Sequence, residues 1–404
     1  KDRRDDNDEL AFWDDVEPGY GKDPWLGVVR IDDSLGQPLA AMFHFGIHGT
    51  VLGQGSSMVS TDAPGHIELA LEDHFNSDVV VMHLQGAGGD AAPTGGHSDY
   101  ARLEGVGESA SGLLLSAWEA TPTSNAPIRL ESASRHFPQS LEDISVTRGG
   151  AVDLYYKSYE QYYVADEEIY DADGKLLSPI DEFNAQYGAT FCGAEIPMIP
   201  VASIGVEVFP YTACTDFSTL ATVIEGFFDL EPGAIPLPLP SSEKAGVLAT
   251  RIGPLITSGG DGEIVEQELI AGFFPGEPTS MFVEQWRRSV SSELGWEQAM
   301  LVGYSQDHEG YLLIPEDWML GGYESNINIW GPLQAEYLLE ETVSMIDSVL
   351  GNDLREPADP DGRWSPTVYP EVEVDVHTPD ATVLAGTILN EPPDYLWLPL
   401  DLTP

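Results

Sequence analysis

The chain has 404 residues, 42% hydrophobic and 10% aromatic, enough for a large folded core and too apolar for a disordered segment. Its 17 basic against 68 acidic residues give a net charge of −51, which leaves little for a phosphate-binding face and argues against nucleic acid and anionic membrane as partners. The acids lie dispersed among Trp, Tyr and Phe, a pattern that predicts a solvated acidic surface suited to a salty habitat.

Short apolar runs alternate with helical patterns over the first part of the chain. They run from Leu26 to Ile31, Pro38 to His48, a helix over Asp62 to Phe75, Val79 to Met82, and a helix over Asp99 to Ala120. Strand, helix, strand at this spacing predicts an α/β arrangement of layers. From Ser134 to Ser242 the pattern loosens around a tyrosine cluster, Cys192, Cys214 and a Pro-rich run over 231–240; it reads as long excursions shaping a cleft. Regular structure is expected again as a strand at Ile264 to Phe274, a helix from Thr279 to Leu294, a strand at Ala299 to Gly303 and an amphipathic helix from Leu333 to Leu350. Residues 357–362 read as a linker, dividing a body over 1–356 from 357–404. In that second part, Glu371 to His377 alternates with period two, as at the start of a small β-sandwich-like module.

No stretch of about 18 apolar residues is present to span a bilayer, and the opening Lys1-Asp2-Arg3-Arg4 does not resemble a signal peptide. Without a leading methionine, it reads as a piece of a longer precursor. Cys192 and Cys214 lack metal-type spacing; they close one loop in an oxidising compartment or are two unrelated thiols.

Val79 to Pro93 is a strand running into the glycine-rich turn Gly86-Ala-Gly-Gly-Asp90. No helix opens at that turn, so a dinucleotide site is rejected, and what remains is a loop whose backbone approaches something closely. His44 and His48 share a face if the strand runs through both, and His48 at its end suits a ligand, a base or a hydrogen-bonded structural role. Glu277, between a strand and a helix, either caps the helix or projects into the crevice at the strand's carboxyl end. The loop Gly303 to Tyr311 crowds polar and aromatic groups in the same way.

In order and spacing, Phe45-Gly-Ile-His48-Gly-Thr, Ser60-Thr-Asp62-Ala-Pro-Gly65, Gly89-Asp90-Ala-Ala92-Pro93, Pro275-Gly-Glu277-Pro-Thr-Ser-Met281 and Tyr311 with Tyr323-Glu324 resemble the neutral (non-lysosomal) ceramidase family over residues 25–125 and 250–350. The resemblance implies a layered mixed-sheet α/β catalytic domain without its N-terminal part, with 137–250 divergent. It implies a zinc ion held by His48, Glu277 and Tyr311, and hydrolysis of the amide of an N-acyl, ceramide-like substrate. A structural Ca2+ or Mg2+ is a further expectation. Asp90 and Ala92 fall in the implied catalytic loop, with Asp62 and His44 expected behind the ligands to fix their tautomer or position.

Two departures from the family matter. Its first zinc histidine lies in a Thr-His-Thr-His-Ser-Gly-Pro type segment that residues 1–47 lack, so an N-terminal fragment of the same precursor is expected to supply it. Ala92 stands at the catalytic serine position, and a methyl group cannot attack a carbonyl. The reading is therefore an exported zinc amidase, secreted, periplasmic or on the outer cell surface, inactive as it stands. A non-catalytic binding protein, or a hydrolase of esters or peptide-like amides on the same scaffold, is the alternative.

Overall fold

The computed structural model describes residues 22–52, 59–75, 79–93, 99–139, 143–155, 190–192, 214–216, 225–226, 231–234, 244–258, 264–306, 308–319, 323–326, 328 and 330–349. Strands β1 (Gly27–Asp32) and β2 (Pro38–Phe45) form an antiparallel hairpin. In its turn the Asp33 carboxylate accepts the N–H groups of Leu35 and Gln37, both at 2.8 Å, and Gly36 takes φ +77°. Helix α1 (Asp62–Glu72) then carries the chain to β3 (Val80–Gln85), which pairs parallel to β2 and closes a three-stranded sheet of order β1-β2-β3. Helix α2 (Asp99–Ala120) follows, over the residues the sequence predicts.

The second half adds β4 (Arg129–Pro138), the short β5 (Ser145–Val146) and β6 (Leu154–Tyr155), β7 (Thr190–Cys192), β8 (Cys214–Asp216), β9 (Lys244–Ser258), β10 (Ile264–Phe273) and β11 (Glu277–Pro278). Helix α3 (Ser280–Leu294), β12 (Ala299–Val302), β13 (Tyr311–Leu312), α4 (Pro315–Met319), α5 (Tyr323–Asn326) and α6 (Gln334–Val349) complete the described chain. The second sheet has the order β12-β10-β9-β4, with β10 and β12 parallel across α3 and the others antiparallel. Each sheet therefore contains one β-α-β unit, β2-α1-β3 and β10-α3-β12.

Alternation along the strands sends one side chain row to each face, and helices cover the outer face of each sheet. Ala41, Phe43, Val79 and Val81 pack on Ile67 and Leu71 of α1 and on Leu114 and Trp118 of α2. On the second sheet Val247, Ile270 and Leu301 pack on Phe282 and Trp286 of α3 and on Leu338 and Ile346 of α6. Phe274 meets Phe282 and Trp286 edge-on at 5.4 and 5.3 Å, and the Trp286 Nε1–H donates to the Met300 carbonyl. The opposite rows of the two sheets face each other, where Leu84 and Trp25 meet Ala271, Met300 and Val302. The fold is thus helices, sheet, sheet, helices, the mixed layered α/β class expected. A cavity of about 220 Å³ opens between the sheets beside Trp25, Met42, His44, Leu269 and Met300.

The end of β4, over 134–138, corrects the reading of loose excursions there, and β9, which the sequence reading did not name, is an interior strand of the second sheet with β4 at its edge. Beside them, Arg148 binds Glu316 of α4 and Glu336 of α6, each through two hydrogen bonds of 2.5–2.8 Å, while Glu340 accepts the N–H groups of Thr147 and Arg148. Cys192 and Cys214 are register partners in the β7–β8 ladder. The linker at 357–362 and the strand at 371–377 lie outside the described residues.

Candidate functional site

Four parallel strands, β2, β3, β10 and β12, end at the same side of the two sheets, and their following loops are stitched together through the backbone. Gly86 N–H donates to Phe45 O, His48 N–H to Ala91 O, Gly89 N–H to Pro278 O, Gly303 N–H to Gln85 O and Tyr304 N–H to Gly276 O, all at 2.7–3.0 Å. The close approach expected of the glycine-rich turn is made at Gly89. A Cβ there would lie 2.7 Å from the Glu277 carbonyl oxygen, which only glycine avoids. Open α/β sheets place their ligands outside the carboxyl ends of the strands, and these loops occupy that position.

His48, from the loop after β2, and Glu277, from β11 just beyond β10, meet here. His48 Nδ1 lies 3.7 Å from Glu277 Oε2, and the Tyr304 hydroxyl sits 2.8 Å from that same oxygen and 3.4 Å from His48 Nδ1. His308 Nε2 is 3.3 Å from Glu277 Oε1. Glu277 and Tyr311 are register partners in the β11–β13 ladder, which brings the Tyr311 side chain under the influence of the Glu277 charge. Burial pushes the Glu277 carboxyl up, but hydrogen bonds from His308 and Tyr304, with the nearby imidazoles, outweigh it and hold the group below the usual carboxylate range. Burial first, and then the Glu277 charge, push both the Tyr304 and Tyr311 hydroxyls well above the ordinary phenol.

The other expected residues are placed as follows. Ala92 is exposed, one residue beyond the carbonyl that accepts the His48 N–H. Asp90 is 3% exposed, and its carboxylate takes the Ser280 N–H and hydroxyl at 3.1 Å and faces Lys22 Nζ at 3.4 Å. It accepts at the N-terminus of α3 and so anchors the glycine-rich loop that carries Ala92. Asp62 accepts the N–H groups of Val51, Leu52 and Ala63, so it orders the loop that follows His48. His44 departs from expectation, because β2 ends at Phe45 and the two histidines do not continue on one strand face. His44 Nε2 instead lies 2.6 Å from the Leu301 carbonyl oxygen, tying one sheet to the other. Tyr304 and His308 were not singled out by the sequence, although their position directly after a buried parallel strand was the available signal.

Among the described residues no three His, Cys, Asp or Glu side chains converge to hold a metal ion. The donor types that do converge, an imidazole nitrogen, a carboxylate and a phenol oxygen, are ones that zinc accepts. Also among the described residues, no helix is long and apolar enough to cross a membrane.

Compared with known proteins, the chain is similar in structure to the neutral ceramidase of Pseudomonas aeruginosa, with 17% identity and a TM-score of 0.55 over 89% of this chain and 52% of that one. The chain has a ceramidase-like fold. A ceramidase complexed with C2 is similar at 16% identity and a TM-score of 0.54, over 89% of this chain and 53% of that one. The chain thus spans about half the length of either ceramidase structure. No protein-family model matches it, and no curated protein does.

Proposed function

We propose that this chain is the metal-holding part of a zinc-dependent hydrolase that cleaves the amide of an N-acyl, ceramide-like substrate. The observation that carries this reading is the meeting of His48 and Glu277, 3.7 Å apart, at the strand ends of two sheets in a ceramidase-like fold. His48, Glu277 and a tyrosine would hold the ion. A further histidine, brought by an N-terminal segment of the same precursor, and export to the cell exterior belong to the same proposal.

A bound zinc ion supplies Lewis acidity toward a carbonyl oxygen and acidifies water. The chain's own residues do the rest. Asp90 and Gly89 hold the glycine-rich loop against β11, which keeps the Ala92 position beside His48. Asp62 fixes the backbone after His48, and His308 and Tyr304 hold both oxygens of Glu277. At Ala92 no side-chain hydroxyl is present to orient a nucleophile or an oxyanion. That residue favours a second reading, a binding protein that keeps the scaffold without the chemistry.

The test is release of fatty acid or amine from a panel of N-acyl substrates, ceramide included, by the unsubstituted protein and by Ala92→Ser, each assembled with the N-terminal segment of the precursor and loaded with zinc. The expected result is turnover in Ala92→Ser at least about 10²-fold above the alanine form. Zinc bound in both, with no substrate cleaved by either, would favour the binding protein.

A further inference from the structure

We propose that the outer edge of β3 is a self-pairing surface, which a second copy of this chain would join as a strand, and that Glu68 and Glu72 of α1 hold it closed. Among the described residues β3 has β2 on one side and no strand on the other, so it ends the first sheet.

The segment itself favours a second copy as the occupant. Val79-Val-Val-Met-His-Leu84 is a six-residue run with no Asp, Glu, Lys, Arg, Pro or Gly, and half of it is valine. Runs of this composition pair with identical copies of themselves when an edge exposes them. On the face turned away from α1 and α2, Val80 is 60% exposed and Met82 47%, so the apolar row reaches the edge uncovered. Edge strands are commonly blunted by a charged side chain, a proline or a bulge, and β3 carries none of these.

A pair of carboxylates protects it instead. An edge strand turns an unpaired N–H outward at every second residue, and here Val81 donates to Glu72 Oε1 at 3.0 Å and His83 to Glu68 Oε1 at 2.7 Å. The spacings match: Glu68 and Glu72 lie one turn apart on one face of α1, about 6 Å along its axis, and the two N–H groups are about 6.7 Å apart along β3. Ile67 and Leu71 pack on the sheet, which fixes the rotation of α1 and delivers the next residue of each turn to the edge. The helix that leads the chain to β3 thus also stands in for the missing neighbour strand. An arriving strand must offer its carbonyls to the same two N–H groups, so it pairs only when both carboxylates leave.

The experiment combines amide hydrogen exchange with sedimentation at about 1 M salt, where screening shortens the reach of the net charge of −51 to about 3 Å. Each single variant should speed exchange at one amide about tenfold or more, Val81 in Glu72→Ala and His83 in Glu68→Ala. With both alanines present, the protein should sediment as a larger species than the unsubstituted chain, circular dichroism showing that it is folded. Adding Met82→Lys to that variant should restore the original mass. Glu68→Gln with Glu72→Gln keeps two acceptor oxygens and removes the charges, and this variant should stay closed; its self-association would show that charge alone guards the edge and would overturn the hydrogen-bonded closure. Unchanged exchange in both single variants would overturn it as well. Faster exchange in the single variants with an unchanged mass for the double alanine form would overturn the self-pairing and leave another chain segment as the occupant of the edge.

Discussion

His44, 2% exposed, reaches from β2 to the Leu301 carbonyl, and taking a charge there means stripping water from an imidazolium. Burial is the dominant cause that lowers its pKa from 6.5 to about 4. A base held below its unfolded value binds fewer protons in the folded state between those two values, so stability is fully present above pH 6.5 and is lost as pH falls toward 4. Between pH 7.5 and pH 5 the loss assigned to His44 is about 2 kcal/mol. Urea unfolding at the two pH values, for the unsubstituted protein and His44→Asn, checks this: the variant should lose that much less on acidification, and equal slopes would refute it. His83 is lowered by burial as well, which is why the difference between the two proteins is the informative quantity. At this scale the sequence was legible where a side chain's place follows from a strand end, as for His48 and Glu277. It was illegible for Tyr304, whose approach to them depends on a left-handed bend that no local propensity announces.

Arg148 shows how single elements are tied together. Its guanidinium lies between Glu316 of α4 and Glu336 of α6, and the hydrogen bonds and charges of these carboxylates raise its pKa well beyond the ordinary arginine range. Glu336 is almost fully buried, so removing its cation leaves an uncompensated charge. Arg148→Met keeps most of the apolar stem and should cost about 2–4 kcal/mol. It should appear as a lower urea midpoint with an unchanged slope, and an unchanged midpoint would show the pair to be neutral. Helices were the most legible elements. Helix α3 stops at Leu294 as expected because Gly295, at φ +72°, closes it with bonds from Gly295 N–H to Ser291 O and from Trp296 N–H to Val290 O. Strands β4 and β9 were not legible. β4 is an edge strand with exposed Arg129, Leu130 and Glu131-side neighbours rather than an apolar run, and β9 carries Gly246 and Gly253-Pro254, which read locally as turn signals.

For the whole molecule, a net charge of −51 sets a repulsive term that no single ion pair offsets. Screening shortens its reach from about 10 Å at 0.1 M salt to about 3 Å at 1 M. The melting temperature should therefore rise by several degrees between those concentrations, measured calorimetrically at constant pH. A flat or falling curve would show that the acids are already neutralised locally and that the charge does not limit stability.

The layered order of the fold was legible as strand-helix-strand alternation, whereas the face-to-face packing of the two sheets was not, because it is specified by contacts such as Leu84 with Met300 that are far apart in the chain. That packing has a consequence for anything held between His48 and Glu277. The two side chains follow strands of different sheets, β2 and β10, so a ligand that bridges them acts as a brace as well as a reagent. Its binding free energy adds to whatever holds the halves of the molecule together, about 2.7 kcal/mol at a hundredfold excess over Kd. Loading and unloading such a site then changes how much free energy separating the two loops would cost, and with it the resistance of the molecule to coming apart between its sheets.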